Sequence, residues 1–464
     1  MESETQTQNA DRTDQFGEQS VIKLLLRFSL PTIVAMMIQS SYNFINMIFV
    51  GQKLGPLAIA AIAICNPITM IQGAINQLVA NGCSTAVAIR LGQGDRDGSR
   101  VLLGSSVALS LLIATGTNIL GHAFMDPLLR LFGASEAILP YARDYLNITL
   151  FGMQVNCLMS MNAMMRIEGF PGRAMVTMLL STVVNLICTP TFLFVFELGI
   201  RGAALGTLCA QVASATWIFV FLIGKDRIIG LKWRYFRPKL DCVRQVMRLG
   251  LPNCLMSLSQ SMLSIILNKS LGAYGGDIAI SAWGITNNIN NLIAQPIFGL
   301  NQGIQPIVSY NVGAKKYLRV KHALFCSLAT ATFFSAVGWL ITRLFPAQIF
   351  AFFNDDPALI ALGVRMLIVF RMFIIVVGAQ QAGAAYFQHT GNPKISILLS
   401  LSRQVLILIP CVLILPRFFH FDGILYAGPI SDLLSITMTG IFLFFEVRRL
   451  NRLAEGCISQ TGIV

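Results

Sequence analysis

Apolar residues run through this chain in blocks of about twenty, separated by short polar stretches. Six blocks lie near residues 22–48, 57–80, 99–121, 139–163, 174–196 and 202–223, and six more near 244–269, 278–301, 319–343, 360–384, 394–415 and 422–446. A helix needs about 20 apolar residues to cross the hydrocarbon of a bilayer, so the pattern predicts twelve spans. The backbone must satisfy its own hydrogen bonds in lipid, which leaves only helices or closed barrels. Barrel strands alternate apolar and polar positions, and these blocks do not. The expected fold class is therefore an all-α polytopic membrane protein. Pro67, Pro190, Pro296, Pro306 and Pro410 fall within or at the ends of the blocks. Each frees a backbone carbonyl and bends its helix, as a static kink or as a hinge.

The second six blocks echo the first. Arg27, Leu30 and Pro31 recur as Arg248, Leu251 and Pro252, an offset of 221. At the same offset Gln39-Ser40 recurs as Gln260-Ser261, Ala58-Ile59 as Ala279-Ile280, Asn66 as Asn287, Gly82 as Gly303, Gly92 as Gly313, Phe132 as Phe353 and Gly202 as Gly423. Six is even, so both halves begin on the same side of the membrane and the repeats are parallel. The expected organisation is a tail at 1–20, a six-helix bundle at 21–223, a basic linker at 224–243, a second bundle at 244–450 and a tail at 451–464. Two similar halves that can rock about a site between them suggest a transporter.

Composition supports lipid as the solvent. The 464 residues are 55% hydrophobic and 12% charged, against roughly 25% charged in a soluble domain. The net charge of +13 invites a nucleic-acid reading, but its placement argues against one. Most Lys and Arg fall in the even-numbered loops, and the linker region alone holds Lys225, Arg227, Lys232, Arg234, Arg237, Lys239, Arg244 and Arg248. That is the positive-inside bias of a membrane protein with both termini in the cytoplasm, and it also suits contact with anionic lipid headgroups. The polar first twenty residues read as a tail and not as a cleaved leader. The ten cysteines form no metal spacing. Cys65, Cys83, Cys157, Cys188, Cys209, Cys254 and Cys411 lie in apolar blocks, where a thiol acts as a small hydrophobe.

The motifs of soluble enzymes are missing. The sequence has no G-x-x-x-x-G-K-[ST] and no H-E-x-x-H, and the glycines at 92, 94 and 98 follow no strand, so a nucleotide-binding loop is a weak reading. His122, His322, His389 and His420 fall in predicted loops and read as exposed residues. Polar residues inside the blocks say more. Gln39, Asn43 and Asn46 step by four and three along one face of the first helix. Gln260, Ser264 and Asn268 do so on the seventh, and Asn287, Asn291 and Gln295 on the eighth. An unpaired amide in lipid costs several kcal/mol, so these stripes either bind helix to helix or line a wet cavity together with Asn66. Arg371, Arg403 and Asp432 are charges at mid-span. A charge there costs at least ~2.5–3.5 kcal/mol and must be paired or hydrated. Asp432 stands where the first half has Gln211. An Asp432–Arg403 ion pair and a proton or sodium carrier are both open readings.

These residues resemble a known family. Ser29-Leu30-Pro31 before a polar first helix, then Phe49-Val50-Gly51 and Leu54-Gly55, resemble the start of the multidrug and toxic compound extrusion (MATE) transporters. So do Gly202-Ala203-Ala204-Leu205-Gly206-Thr207, Gly299-Leu300-Asn301-Gln302-Gly303-Ile304-Gln305-Pro306 and Tyr310-Asn311-Val312-Gly313-Ala314. The similarity covers about residues 20–450 and is nearest to the MepA-like branch. It implies a V-shaped pair of bundles. The expected setting is a prokaryotic cell (inner) membrane, and a cavity between the chain's own halves needs no partner, so a functional monomer is expected. The resemblance also implies export of amphipathic, often cationic organic compounds in exchange for protons or sodium, with no cofactor beyond that ion. Relatives often carry Asp where this chain has Asn46 and Thr189, and sodium-coupled ones use acids in the seventh and tenth helices, where this chain offers Gln260 and Gln380 or Gln381. Asp432 is left as the titratable group, with Arg403 and Arg371 beside it. Met36, Met37, Met161, Met164 and Met165 either adapt a wall to many cargoes or simply pack. Two rivals remain. A lipid-linked carrier flippase of the same superfamily would usually have fourteen spans and a more charged cavity. An intramembrane enzyme would need a nucleophile and base or a metal at mid-depth.

Overall fold

The computed structural model describes residues 15–159, 161–224, 227–231, 233–236, 238–353 and 356–461, without the side chains at 42–48, 50–52, 55, 56, 59 and 456–461. The described residues form helices and no strand. Nine helices among them are long and apolar enough to cross a membrane, and the pair Pro357–Phe370 and Ile374–His389, bent by 52°, makes a tenth. The other two predicted blocks are also helical. One is Leu139–Met159, whose first turns carry Arg143 and Asp144. The other shares the helical run Leu240–Gly313 with its predecessor, and the chain turns between them at Gly276, with φ 67°. A positive φ is cheap only for glycine. The last two predicted spans are parted by His420, at φ 50°.

Contacts divide the chain into two units that exchange their leading helix segments. Unit 1 comprises residues up to Gln19 and Val34–Cys254; unit 2 comprises Ser20–Ile33 and Leu255–Val464. The switch from one unit to the other thus comes after residue 33 in the first copy of the repeat and after 254 in the second, again 221 residues apart. Glycines admit these segments. In unit 1 a Cβ on Gly82 would collide with the carbonyl of Val246, and one on Gly250 with the carbonyl of Leu78. In unit 2 Gly303 lies against Ser29, and Gly299 against Ile33. Gly82 and Gly303 are repeat partners, and so are Gly250 and Ser29, so one backbone-to-backbone contact is made twice. Small residues at such crossings let helices approach closely where lipid removes the hydrophobic drive between them.

Each unit has its own apolar core. Leu129, Leu146, Leu150, Met153 and Cys65 pack together in unit 1. In unit 2 the cluster includes Leu267, Leu271, Trp283, Phe350, Met366, Phe370, Leu408 and Val412. Outward residues such as Leu112, Ile119, Val195 and Phe352 remain exposed, as apolar surface facing lipid should. Helix starts are fixed locally. Asp95 accepts the Gly98 amide at 2.8 Å, and Asp356 accepts the Ala358 amide at 2.9 Å just ahead of Pro357. Both side chains satisfy amides that a helix start leaves open.

Candidate functional site

The three charges expected at mid-span gather in unit 2. The Pro357–Phe370 helix stops at Arg371 and resumes at Ile374. No proline or glycine lies between, so the break is held by its neighbours. The indole of Trp339 donates to the Met372 carbonyl at 3.1 Å, giving a partner to an acceptor that the interrupted helix leaves open. On the last long helix, Gly428 has no side chain where a Cβ would meet the carbonyl of Phe370. Asp432 lies one turn further along the same face. The close approach at Gly428 therefore brings the break, and Arg371 with it, near Asp432.

Arg403 arrives from another irregular segment. Residues Ser402–Leu408 are wound as a π-helix ahead of Pro410, which has no amide to donate. Its Nε donates to Asp432 Oδ1 at 2.8 Å, and Asp432 is only 2% exposed. The ion pair weighed in the sequence therefore forms. Arg371 is close enough to feel both Arg403 and Asp432 electrostatically. It is 7% exposed, its Nε has no hydrogen-bond partner, and it pairs with no carboxylate among the described residues. Its guanidinium lies 5.2 Å from the ring centroid of Phe370 and 5.8 Å from that of Trp283. Those two rings meet edge to face at 4.8 Å. Aromatic faces attract a cation but do not use up its N–H groups as a carboxylate would.

The amide stripes behave differently. Gln260, Ser264 and Asn268 are exposed, as are Asn287 and Asn291; Gln295 is half-buried. All belong to unit 2. Asn66 of unit 1 is also exposed, its carbonyl accepting from Thr69 at 2.8 Å, and Gln39 is half-buried. Asn43 and Asn46 lie outside the described side chains.

Several sequence expectations change. His389 is not an exposed loop residue; it ends the Ile374–His389 helix and is buried. His322 and His420 are exposed, and His122 is half-buried with Nδ1 2.9 Å from the Asn118 carbonyl. Met161, Met164 and Met165 are fully buried, and Met165 receives the Thr177 hydroxyl at 3.6 Å. They pack the core of unit 1 and present no free wall. Sequence reasoning also missed a buried polar knot in unit 1. Thr189 donates to Asn185 Oδ1 at 2.6 Å, and Asn185 donates to Thr207 at 3.4 Å. The signal was there: Asn185 and Thr189 are four apart, just before Pro190. In unit 2, Gln380 donates to the Leu399 carbonyl at 2.9 Å, beside the π-helical segment.

Comparison with known proteins follows the same pattern. The sequence profile of one family, MatE, matches residues 31–191 and 252–413. The two matched stretches start 221 residues apart, as the internal repeat does. The chain belongs to the MatE family. Its similarity to the multidrug export protein MepA of Staphylococcus haemolyticus is 24% identity, over 94% of this chain and 96% of that protein. With MepA of Staphylococcus saprophyticus it is 25%, over 90% and 92%. A solved outward-facing multidrug resistance MATE transporter of the MOP superfamily superposes with a TM-score of 0.89 at 24% identity, over 94% and 98% of the two chains. That likeness places this MatE chain in the same all-helical fold. MatE proteins are multi-pass membrane transporters and not enzymes, so the enzyme alternative falls away.

Proposed function

We propose that this MatE protein is a secondary active exporter. It moves amphipathic, often cationic organic compounds out across the cell membrane, in exchange for protons or sodium, by alternating access. The observation that carries this reading is the exposed stripe of Gln260, Ser264, Asn268, Asn287 and Asn291 on apolar spans. Amides cannot face hydrocarbon cheaply, so a surface that leaves them exposed must meet water or cargo. The names of the relatives, multidrug export proteins, support the substrate class. Gln295 joins this stripe in unit 2, and in unit 1 Gln39 and Asn66, with Asn43 and Asn46, are proposed to meet cargo in the same way.

Asp432 is the proposed coupling carboxylate, with Arg403 and Arg371 setting its field. Each charge entering down 100 mV supplies about 2.3 kcal/mol, and each pH unit about 1.4. One proton can therefore sustain a cargo gradient of two to three orders of magnitude, without ATP. The basic linker supports a reading in which both termini lie in the cytoplasm, and the proposed exporter works as a single chain.

The test is ethidium efflux from vesicles containing the full chain, with pH and sodium gradients imposed separately. One of the two gradients should drive efflux, and Asp432→Asn should abolish its effect. Efflux by the variant with unchanged ion dependence would remove Asp432 from coupling. No gradient-driven efflux by the wild type would remove the exporter reading.

A further inference from the structure

Two arginines share one pair of rings at an end of unit 1. The helix Pro171–Pro190 carries Arg173 in its first turn, and the helix Ile200–Ile223 stops shortly before Arg227. Phe170 and Phe221 join those two ends, edge to face at 5.7 Å. The Arg173 guanidinium lies 4.8 Å from the centroid of Phe170 and 5.7 Å from that of Phe221. The Arg227 guanidinium lies 5.1 and 3.9 Å from the same two rings. Its Nε donates to the Phe221 carbonyl at 3.0 Å, which fixes it there. Arg173 is exposed, and no ion pair of the described residues includes it. Glu168, the carboxylate nearest in the chain, is buried and accepts the Ile229 amide at 3.0 Å. Aromatic faces attract both cations but hold two like charges close together, and an anion between them would relieve that repulsion.

The surface beside Arg173 says which anion. Val176, Val183 and Ile187 follow it at steps of three, seven and four, on one face of a helix apolar enough to cross a membrane. All three are exposed, as are Val220 and Ile223 on the last turn before Arg227. The guanidiniums thus stand at the polar end of an apolar lane, as a phosphate stands above its acyl chains. We propose that Arg173 and Arg227 hold the phosphodiester of one anionic phospholipid, whose chains lie along Val176, Val183 and Ile187. Such a lipid would also brace the start of the linker, where Arg100 donates to the Ile228 carbonyl at 3.1 Å. The site binds one molecule, unlike the diffuse attraction of any basic surface for a charged membrane, and it does not depend on the export reading.

Native mass spectrometry of the full-length protein in detergent counts the lipids bound as dioleoylphosphatidylglycerol or dioleoylphosphatidylcholine is added. The wild type should take up its first phosphatidylglycerol at a lower concentration than its first phosphatidylcholine. Arg173→Gln should raise the phosphatidylglycerol concentration for half occupancy about tenfold, the effect of one lost charge-assisted contact, and Arg173→Lys should raise it less. Arg234→Gln removes an exposed charge of the linker and should leave it unchanged. Equal uptake of the two lipids by the wild type overturns the proposal. So does an equal loss in the Arg173→Gln and Arg234→Gln variants, which would mean general attraction and no site. Inorganic phosphate and glycerophosphoglycerol are the soluble arms, and displacement of the lipid by either at millimolar concentration would assign the arginines to a free anion instead. If Arg173→Gln does not fold, the wild-type preference and the Lys variant decide by the same criteria.

Discussion

Asp432 and Arg403 make a pair whose cost and value differ. Both are taken from water, and their attraction roughly offsets the loss; removing one partner leaves a bare charge behind. Arg403→Ala should thus lower stability by about 3–5 kcal/mol, read as a drop in thermal unfolding temperature in detergent. The double variant Arg403→Leu/Asp432→Leu should recover most of that loss. A double variant as unstable as the single one would show that these side chains do more than balance each other. A second carboxylate answers to different physics. Glu197 is fully exposed and bonded to Lys53 at 2.9 Å, and that hydrogen bond and the lysine's charge hold its carboxyl below the usual range. A lowered folded value means the contribution is present at neutral pH and fades as pH falls through it. Lys53→Met should return the Glu197 titration to the ordinary carboxylate range, as followed by carboxyl NMR, with little change in stability because the pair is solvated.

At the scale of elements, the crossings at Gly82 and Gly303 are the points where one added carbon matters most. A methyl at Gly82 meets backbone alone, and one at Gly303 meets the backbone of Ser29 as well as its hydroxyl, so relief requires the helices to part. Gly303→Ala is expected to cost about 1–3 kcal/mol, as overpacking does, and Ser309→Ala in the same helical run to cost less. Thermal melts of the two variants would rank them. The helices themselves were legible from the apolar blocks, because length and composition alone decide what lipid accepts. The break at Arg371 was not, since no proline or glycine marks it; Trp339 and Gly428, distant in sequence, hold it. The π-helical turns Thr191–Val195 and Ser402–Leu408 were half legible: Pro190 and Pro410 announced bends, but not which residues the rewinding would turn inward. The burial of His389 was hidden for a related reason. Its position at the end of a block looked like a loop, and only packing of the neighbouring helices covers it.

For the molecule as a whole, the repeat carried more information than any motif. An offset of 221 predicted parallel halves, and the MatE profile matches at that spacing. Charges at mid-span were also readable, because each is an exception in an apolar run. The Asp432–Arg403 ion pair was among the readings the sequence offered, and the fold forms it; what the sequence withheld was the setting of Arg371, which only the fold places against Phe370 and Trp283. Nor did hydropathy reveal that the leading segments of the two copies change units.

That exchange decides how the gene can be cut. A nick in the basic linker severs the chain where surface loops tolerate it, yet it leaves the front fragment without 240–254 and the rear one without 20–33. Each piece would carry an orphaned glycine groove and a stray leading segment. Made separately, neither should accumulate; made together in one cell, they should complement, and only the co-produced pair should survive extraction as a single species.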